Sequence, residues 1–290
     1  MRRAKPQRRR VKREQQLHAR LRSLHSLGEA IEAMKNLSAR HYREMRVAVE
    51  PARRYREGIE RILGWSGAEL PAGDGAPGLL IIGAELGLCG GYNARVVAAG
   101  AAHRAALGDG PTYCAGRRAA ALLQRRGVAL THVSSAPTSL EGITEFLLGL
   151  AEELLTAYVR DQLSSLDIVS TQFVGVGDHP TSVLRLLPLA ARDTDHAPRI
   201  AYVSPAILSF AAIREYLYSV LYDLLLDALA AEHGARLVST QAAGHWIDER
   251  KRRIQQQLAA IRREASTQEV IEIAAGARAR RAQAGIQRSR

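Results

Sequence analysis

The sequence predicts an α/β protein with long helices: the N- and C-terminal segments pair as an antiparallel coiled coil, and a Rossmann-like α/β domain is inserted between them. Three observations predict it. Apolar residues recur at spacings of three and four from residue 14 to 65, and again from 205 to 279, where no proline follows Pro205. Between these stretches, short apolar runs alternate with helix-like segments in the order of βαβ units. The texture changes abruptly at "SGAELPAGDGAPG", residues 66–78, and again near Pro205.

Residues 1–13 hold eight basic groups and no acid, which predicts a solvated, disordered arm. From Glu14, a narrow stripe of Leu17, Leu21, Leu24, Gly28, Ile31, Leu37 or Ser38, Tyr42, Met45 and Val49 has heptad character. Pro51 predicts a kink, after which "ARRYREGIERILGW" continues the helix. At a rise of 1.5 Å per residue this helix, 14–65, is about 75 Å long, more than a small compact domain uses.

The inserted domain is read as 75–200. "GLLIIGAE" is a buried strand, "NARVVAAGAAHRAAL" a helix, "PTYCAG" a short strand and "RRAAALLQRR" a helix. "GVALTHVS" is a strand and "SLEGITEFLLGLAEELLTAYVR" a long helix. "LDIVSTQFV" and "TSVLRLLPL" flank the turn "GVGDHP" and read as an antiparallel addition to a largely parallel sheet. In the C-terminal helix, 205–279, apolar positions run through Ile213, Leu217, Val220, Leu224, Ala228, Ala231, Ala235, Val238 and Ala242. Ile247, Ile254 and Ile261 then recur seven apart with Leu258 between them, the repeat of a left-handed supercoil. Gly234 and Gly244 weaken the helix by about 1 kcal/mol each relative to alanine, so packing must compensate. Residues 280–290 form a basic tail.

The net charge of +12 calls for an acidic partner: nucleic acid, anionic lipid or an acidic protein. Lys5, Lys12, Lys35 and Lys251 are the only lysines, so most of the basic residues are arginine. Cys89 and Cys114 are too few for a disulfide framework or a four-thiolate metal site, and fit a reducing compartment. No run of about 18 apolar residues predicts a transmembrane helix, and the basic N-terminus lacks the apolar core of a secretory signal.

The segment "GLCGGYN", residues 87–93, lies between a strand and a helix. Its glycines fit neither the G-x-G-x-x-G dinucleotide loop nor a P-loop, and no lysine stands nearby. It reads as a strand–turn–helix corner in which Gly87, Gly90 and Gly91 take positive φ and Asn93 caps the helix. Cys89 is a packed thiol, or one of lowered pKa if the turn opens onto a helix N-terminus. His18, His25, His41, His103, His132 and His245 are scattered, without metal-ligand spacing. Ser134-Ser135 and Ser164-Ser165 lack a nucleophile frame. Glu152-Glu153 and Asp248-Glu249 are adjacent pairs that point apart on a helix. No catalytic residue, cofactor site or metal site is expected.

Taken together, these motifs resemble the gamma subunit of F-type ATP synthases. "GLCGGYN" resembles that family's Gly-Leu-Cys-Gly-Gly-x-Asn segment. Arg20-Leu21-x-Ser23-Leu24 followed by Ala33-Met34 is similar to its N-terminal helix pattern. "LAAEHGARLV", 229–238, resembles its Ser-Glu-x-x-Ala-Arg-Met-Val motif, and "RREASTQEVIEIAAGARA", 262–279, its terminal segment. The departures are "SLGEAI" at 26–31, "AAGHWID" at 242–248, Arg263 for the glutamine of an Arg-Gln pair, and Ser266 for an isoleucine. They mark a divergent member, from an alternate ATPase or from a lineage that no longer couples.

The resemblance implies a central rotor shaft, non-catalytic and without cofactors, in a complex that couples rotation of a c-ring to ATP synthesis or hydrolysis on beta subunits. It implies three alpha and three beta subunits, an epsilon subunit and the c-ring as partners, and a peripheral place on the cytoplasmic side of the plasma membrane through the c-ring alone. By position in the family's motifs, Met34, Lys35, Arg262, Arg263, Thr267, Gln268 and Glu269 face a beta subunit. Gly87, Cys89, Gly90, Gly91, Tyr92, Asn93 and Tyr202 belong to the foot, with contact to the c-ring or epsilon as the finer reading. At Tyr202 the family's following acid is replaced by Val203. The competing expectation is a basic coiled-coil protein that binds nucleic acid non-specifically. An α/β enzyme with helical extensions lacks site residues to support it.

Overall fold

The computed structural model describes residues 4–160, 162–189 and 204–287. The element order is α1 (Ala4–Ser66), β1 (Ala76–Ile82), α2 (Tyr92–Leu107), β2 (Thr112–Ala115), α3 (Arg117–Arg125), β3 (His132–Ser134), α4 (Glu141–Val159), β4 (Leu163–Thr171), β5 (Thr181–Leu187) and α5 (Pro205–Gln287). The chain divides into two compact units. One comprises Met1–Ala33 with Ala242–Arg290, the other Met34–Gln241.

In the first unit, the start of α1 and the end of α5 pair antiparallel. Glu14 meets Arg262 at 3.7 Å, while Gly28 lies against Ile247 and Lys251. Leu17, Ile254, Leu258 and Ile261 form the buried seam, with Leu21 and Leu24 packed on it. The seven-residue recurrence of Ile247, Ile254 and Ile261 thus appears as one buried row. The disordered arm expected over 1–13 is corrected for its described part: α1 is helical from Ala4. Arginine, lysine and glutamine lose little side-chain freedom in a helix, so the segment continues the α1 backbone without a breaker. Likewise α5 continues to Gln287.

In the second unit, five strands lie in the order β3-β2-β1-β4-β5. β1 is parallel to both β2 and β4, with Leu80 opposite Tyr113 on one side and Ile168 on the other. β2 and β3 are parallel, and β5 is antiparallel to β4. The expectation that the last two strands form an antiparallel addition is therefore half corrected. β4 sits beside β1 in the parallel sheet, because α4 carries the chain back before β4 begins. Only β5 is antiparallel.

Alternate residues of β1 face opposite layers. Leu80 and Ile82 pack with Ile143, Leu147, Leu150 and Leu154 of α4, in a cluster that also takes Met45 and Val49 of α1 and Leu217, Leu221 and Leu225 of α5. Leu79 and Ile81 pack with Val96 and Val97 of α2, Ala119 and Leu123 of α3, and Ala231 and Ala235 of α5. The long α5 therefore joins both layers of this unit. Pro51 lies inside α1, which continues through it to Ser66.

Candidate functional site

The corner at 87–93 is built from backbone geometry and buried hydrogen bonds. Gly90 has φ +56°, and Leu88 takes φ +63°. Gly91 has φ −82° and caps α2 without a side-chain bond. The expectation that all three glycines take positive φ is thus corrected, and so is the capping role of Asn93. The Asn93 side chain points inward instead. Its Oδ1 accepts the Ala84 N–H at 2.9 Å, and its Nδ2 donates to the Cys89 sulfur at 3.5 Å. This ties the end of β1 to the start of α2.

Cys89 is buried, and burial pushes its thiol up, helped by the nearby Glu232 carboxylate. The lowered-pKa alternative is corrected. Tyr92 is fully buried; its hydroxyl donates to the Ala228 carbonyl at 3.1 Å, and so accepts from Thr171 Oγ1 at 2.9 Å. Cys89, Tyr92 and Asn93 are therefore turned into the chain, whereas Gly90 and Gly91 are exposed. Tyr202 lies outside the described residues.

Helix α5 grips this corner through charged residues that sequence reasoning did not single out. Arg236 is 1% exposed. Its Nε donates to the Gly87 carbonyl at 3.0 Å, its Nη1 meets His233 Nδ1 at 3.2 Å, and its Nη2 pairs with Glu232. Burial lowers His233 to about 3, and Arg236 and His41 add to the effect. His233 is therefore neutral: Nδ1 accepts from Arg236, and Nε2 donates to the Thr138 carbonyl at 3.2 Å. In doubly wound sheets, ligands bind beyond the carboxyl ends of the strands. Here that region beside β1 is filled by the chain itself. The available signal was the i,i+4 pair Glu232–Arg236 inside an otherwise apolar stretch of α5.

Glu85 closes the neighbouring loops. Its Oε2 accepts the N–H groups of Arg117 at 3.0 Å and Ala136 at 3.2 Å, and its Oε1 pairs with the Arg117 side chain. In β4, Asp167 is held by Arg185 at 2.6 and 3.0 Å and by His103 at 2.7 Å. Burial alone would raise this carboxyl, but the hydrogen bonds from Arg185 and His103 outweigh it and hold it below its usual range.

Two further pairs join α1 and α5 within this unit. Arg53 contacts both oxygens of Asp227, at 2.9 and 3.0 Å, and Arg56 reaches Asp223 at 3.1 Å. Asp223 Oδ1 is buried without a hydrogen-bond partner. Burial raises Asp223 to about 6, against the pull of Arg56. An acid with a raised folded pKa holds its proton more tightly when folded, so its contribution to stability falls as pH rises from about 4 to 6. Asp223→Asn should therefore gain on the native chain by on the order of 2 kcal/mol between pH 4 and pH 7.5. Urea unfolding of both proteins at the two pH values checks this, and a pH-independent difference would contradict it.

The residues expected to face a beta subunit lie in both units. Met34 and Lys35 are half-buried on α1. Arg262, Arg263, Thr267, Gln268 and Glu269 share the exposed end of α5. Arg262 makes the 3.7 Å contact with Glu14 already described. Thr267 Oγ1 donates to the Arg263 carbonyl at 3.0 Å, and Gln268 Nε2 donates to Glu272 at 2.9 Å. Leu258 and Ile261 are buried on the opposite face and Ala265 is half-buried. Beyond them, Val270, Ile271 and Ile273 are 65%, 55% and 70% exposed.

Among the described residues, no group of three or more His, Cys, Asp or Glu side chains is placed to hold a metal ion. No described helix is long and apolar enough to cross a membrane.

Comparison with known proteins agrees with this geometry. The family model described as ATP synthase matches residues 13–279. The ATP synthase gamma chain of Moorella thermoacetica is 28% identical over 90% of this chain and 96% of its own. That of Geotalea daltonii is 26% identical over 88% and 94%. Among solved structures, the rotor of the Euglena gracilis mitochondrial ATP synthase superposes with a TM-score of 0.63 at 13% identity, covering 88% of this chain and 99% of the other. The central stalk and c-ring structure of the Tetrahymena thermophila enzyme gives 0.58 at 17%, covering 74% and 99%. At these identities the solved structures establish a common fold.

Proposed function

Because this chain belongs to the gamma-subunit family of the F-type ATP synthases, we propose that it turns as the central shaft of such a complex and couples ion-driven rotation of a c-ring to ATP synthesis or hydrolysis on the beta subunits. A gamma chain is a non-catalytic subunit of its complex, so its contribution is conformational. A shaft that presents a different face to each of three beta subunits favours a different conformation in each. ATP binding and release are thereby biased in turn, a population shift through differential contact.

The observation that carries this reading is the end of α5. Val270, Ile271 and Ile273 are exposed apolar residues on a helix whose seam residues, Leu258 and Ile261, are already buried. Three large apolar side chains left in water within little more than one helical turn call for a protein partner that covers them. The reading assigns that cover to a ring of three alpha and three beta subunits. It makes Met34, Lys35, Arg262, Arg263, Thr267, Gln268 and Glu269 the residues that meet beta. The α/β domain serves as the foot, with Gly87, Gly90 and Gly91 the corner positions open to epsilon or the c-ring. The shaft reaches the cytoplasmic face of the membrane only through that ring. The family match lends no support to the nucleic-acid alternative.

Arg262 and Arg263 should then matter for coupling and little for folding. Both are exposed, and exposed ion pairs contribute about 0–1 kcal/mol. The double variant Arg262→Ala, Arg263→Ala should assemble normally but pump fewer ions per ATP hydrolysed, or turn over more slowly. Pumping and hydrolysis measured on the same vesicles test this; unchanged values would show that both arginines are solvated bystanders. The reading as a whole is tested by co-expression with alpha and beta chains. A stoichiometric complex whose ATPase activity needs this chain supports it, whereas elution of this chain alone contradicts it.

A further inference from the structure

The second unit carries an open groove of about 570 Å³ between α1 and α5. The chain has nine tyrosines, and three of them, Tyr55, Tyr218 and Tyr222, line this one groove. Tyr218 and Tyr222 stand one helical turn apart on α5. Tyr55 comes from α1, and its hydroxyl donates to Glu215 of α5 at 2.7 Å, which joins the two helices across the groove. The rest of the α1 wall is Ala48, Pro51 and Ala52, short side chains that leave the space open.

The polar groups of the groove are mostly acceptors. The Tyr55 proton is committed to Glu215, and buried Ser219 gives its own to the Tyr216 carbonyl at 2.9 Å. Both oxygens keep lone pairs for a further partner. Pro51 has no N–H, so the Val47 carbonyl one turn earlier lacks its helical donor. No basic side chain lines the groove. The arginines of this stretch of α1 are engaged elsewhere: Arg53 with Asp227, Arg54 with Glu50 and Arg56 with Asp223.

We propose that this groove binds a small organic cation of the amidinium or guanidinium class, with N–H donors on a compact apolar body. The proposal goes beyond the shaft reading and does not depend on it. Three features select this ligand. Tyrosine rings attract a cation through the negative faces of their π systems. The Glu215 carboxylate offers a charge-assisted hydrogen bond to a planar N–H pair. The remaining lone pairs on Ser219, Tyr55 and the Val47 carbonyl call for donors. An anion would be repelled by Glu215, and a ligand without donors would leave these groups unpaired. A ligand that touches both α1 and α5 also stabilises the folded unit in proportion to its occupancy.

Benzamidinium is the probe, and benzamide, nearly the same shape but uncharged, is its control. Calorimetric titration of the full chain should show benzamidinium bound at one site, about tenfold more tightly than benzamide. Its thermal midpoint should rise with benzamidinium. Glu215→Gln keeps an oxygen for the Tyr55 hydroxyl, so it should weaken benzamidinium about tenfold and leave benzamide unchanged. Tyr218→Leu should weaken the cation about threefold, and Tyr218→Phe, which keeps the ring, much less. Absence of benzamidinium binding at millimolar concentration overturns the proposal. So do equal affinities for the two probes, or a Glu215→Gln chain that binds benzamidinium as the native one does. Titration of the complex with alpha and beta chains separates a free cation from an arginine side chain of another subunit. Retained binding is expected, and binding confined to the isolated chain assigns the groove to a side chain and overturns the free-ligand proposal. Failure of that complex to assemble counts against the shaft reading alone, because the titration of the isolated chain still decides this one.

Discussion

Replacing Arg236 with alanine is expected to lower the free energy of unfolding by about 3–5 kcal/mol, the range for removing one partner of a buried ion pair. The arginine is almost fully enclosed, and its loss strands three groups at once. Glu232, whose carboxyl burial already pushes up, loses its cation partner; the Gly87 carbonyl loses a donor at 3.0 Å, and His233 loses the donor to Nδ1. The double variant Arg236→Met, Glu232→Gln should recover much of the loss, because it removes the buried charges together. Urea unfolding followed by far-ultraviolet circular dichroism measures both. Equal stability of Arg236→Ala and the native chain would mean that this cluster does not fasten α5 to the 87–93 corner.

Gly116→Ala is expected to cost a similar amount by a different route. Gly116 has φ +107°, and a Cβ there would meet the Gly83 carbonyl oxygen at 2.5 Å and that of Ala84 at 2.8 Å. Backbone strain of about 1–3 kcal/mol adds to overpacking of about 1–3 kcal/mol. The atoms in the way are backbone, so no side chain can turn aside. Gly127→Ala is the matched control, since its φ is also positive, at +79°, but nothing lies within 4 Å of the added carbon. A loss at Gly116 no larger than at Gly127 would show that the sheet relaxes around the methyl group.

Much of the fold was legible because hydrophobic period reports which face of an element is buried. The alternation that sends Leu79 and Ile81 to one layer and Leu80 and Ile82 to the other is not visible in an unbroken apolar run, but the run itself marks a central strand. The heptad recurrence of Ile247, Ile254 and Ile261 led directly to the seam with Leu17. What escaped was long-range. Whether β4 lies parallel to β1 depends on how α4 returns the chain, which no local pattern carries. The inward turn of Asn93 was hidden for the same reason: its partners are a backbone N–H nine residues earlier and a buried thiol, while an asparagine at a helix start ordinarily suggests a cap.

The candidate contacts divide in the same way. Motif position alone carried Met34, Lys35 and the 262–269 group; the first two are half-buried on α1 and the rest exposed on α5, which identifies no partner. The Arg53–Asp227 and Arg56–Asp223 pairs were unreadable from sequence because each charged residue looks like a solvated one until its partner arrives from another segment, whereas Glu232–Arg236 left the i,i+4 signal already noted. In this unit Arg53 and Arg56 tie α1 to α5, while the α/β domain holds α5 through the bonds of Arg236 to the Gly87 carbonyl, His233 to the Thr138 carbonyl and Tyr92 to the Ala228 carbonyl.

Rotation is the central claim, and single-molecule observation tests it most directly. The native cysteines are buried, so a single exposed cysteine introduced as Ala129→Cys, in the loop before β3, can carry a bead while the alpha and beta chains are fixed to glass. The account predicts that saturating ATP drives stepwise, unidirectional rotation of the bead, with three steps per turn for three beta subunits. A complex that hydrolyses ATP at full rate while this chain stays still, or fluctuates without direction, would contradict it.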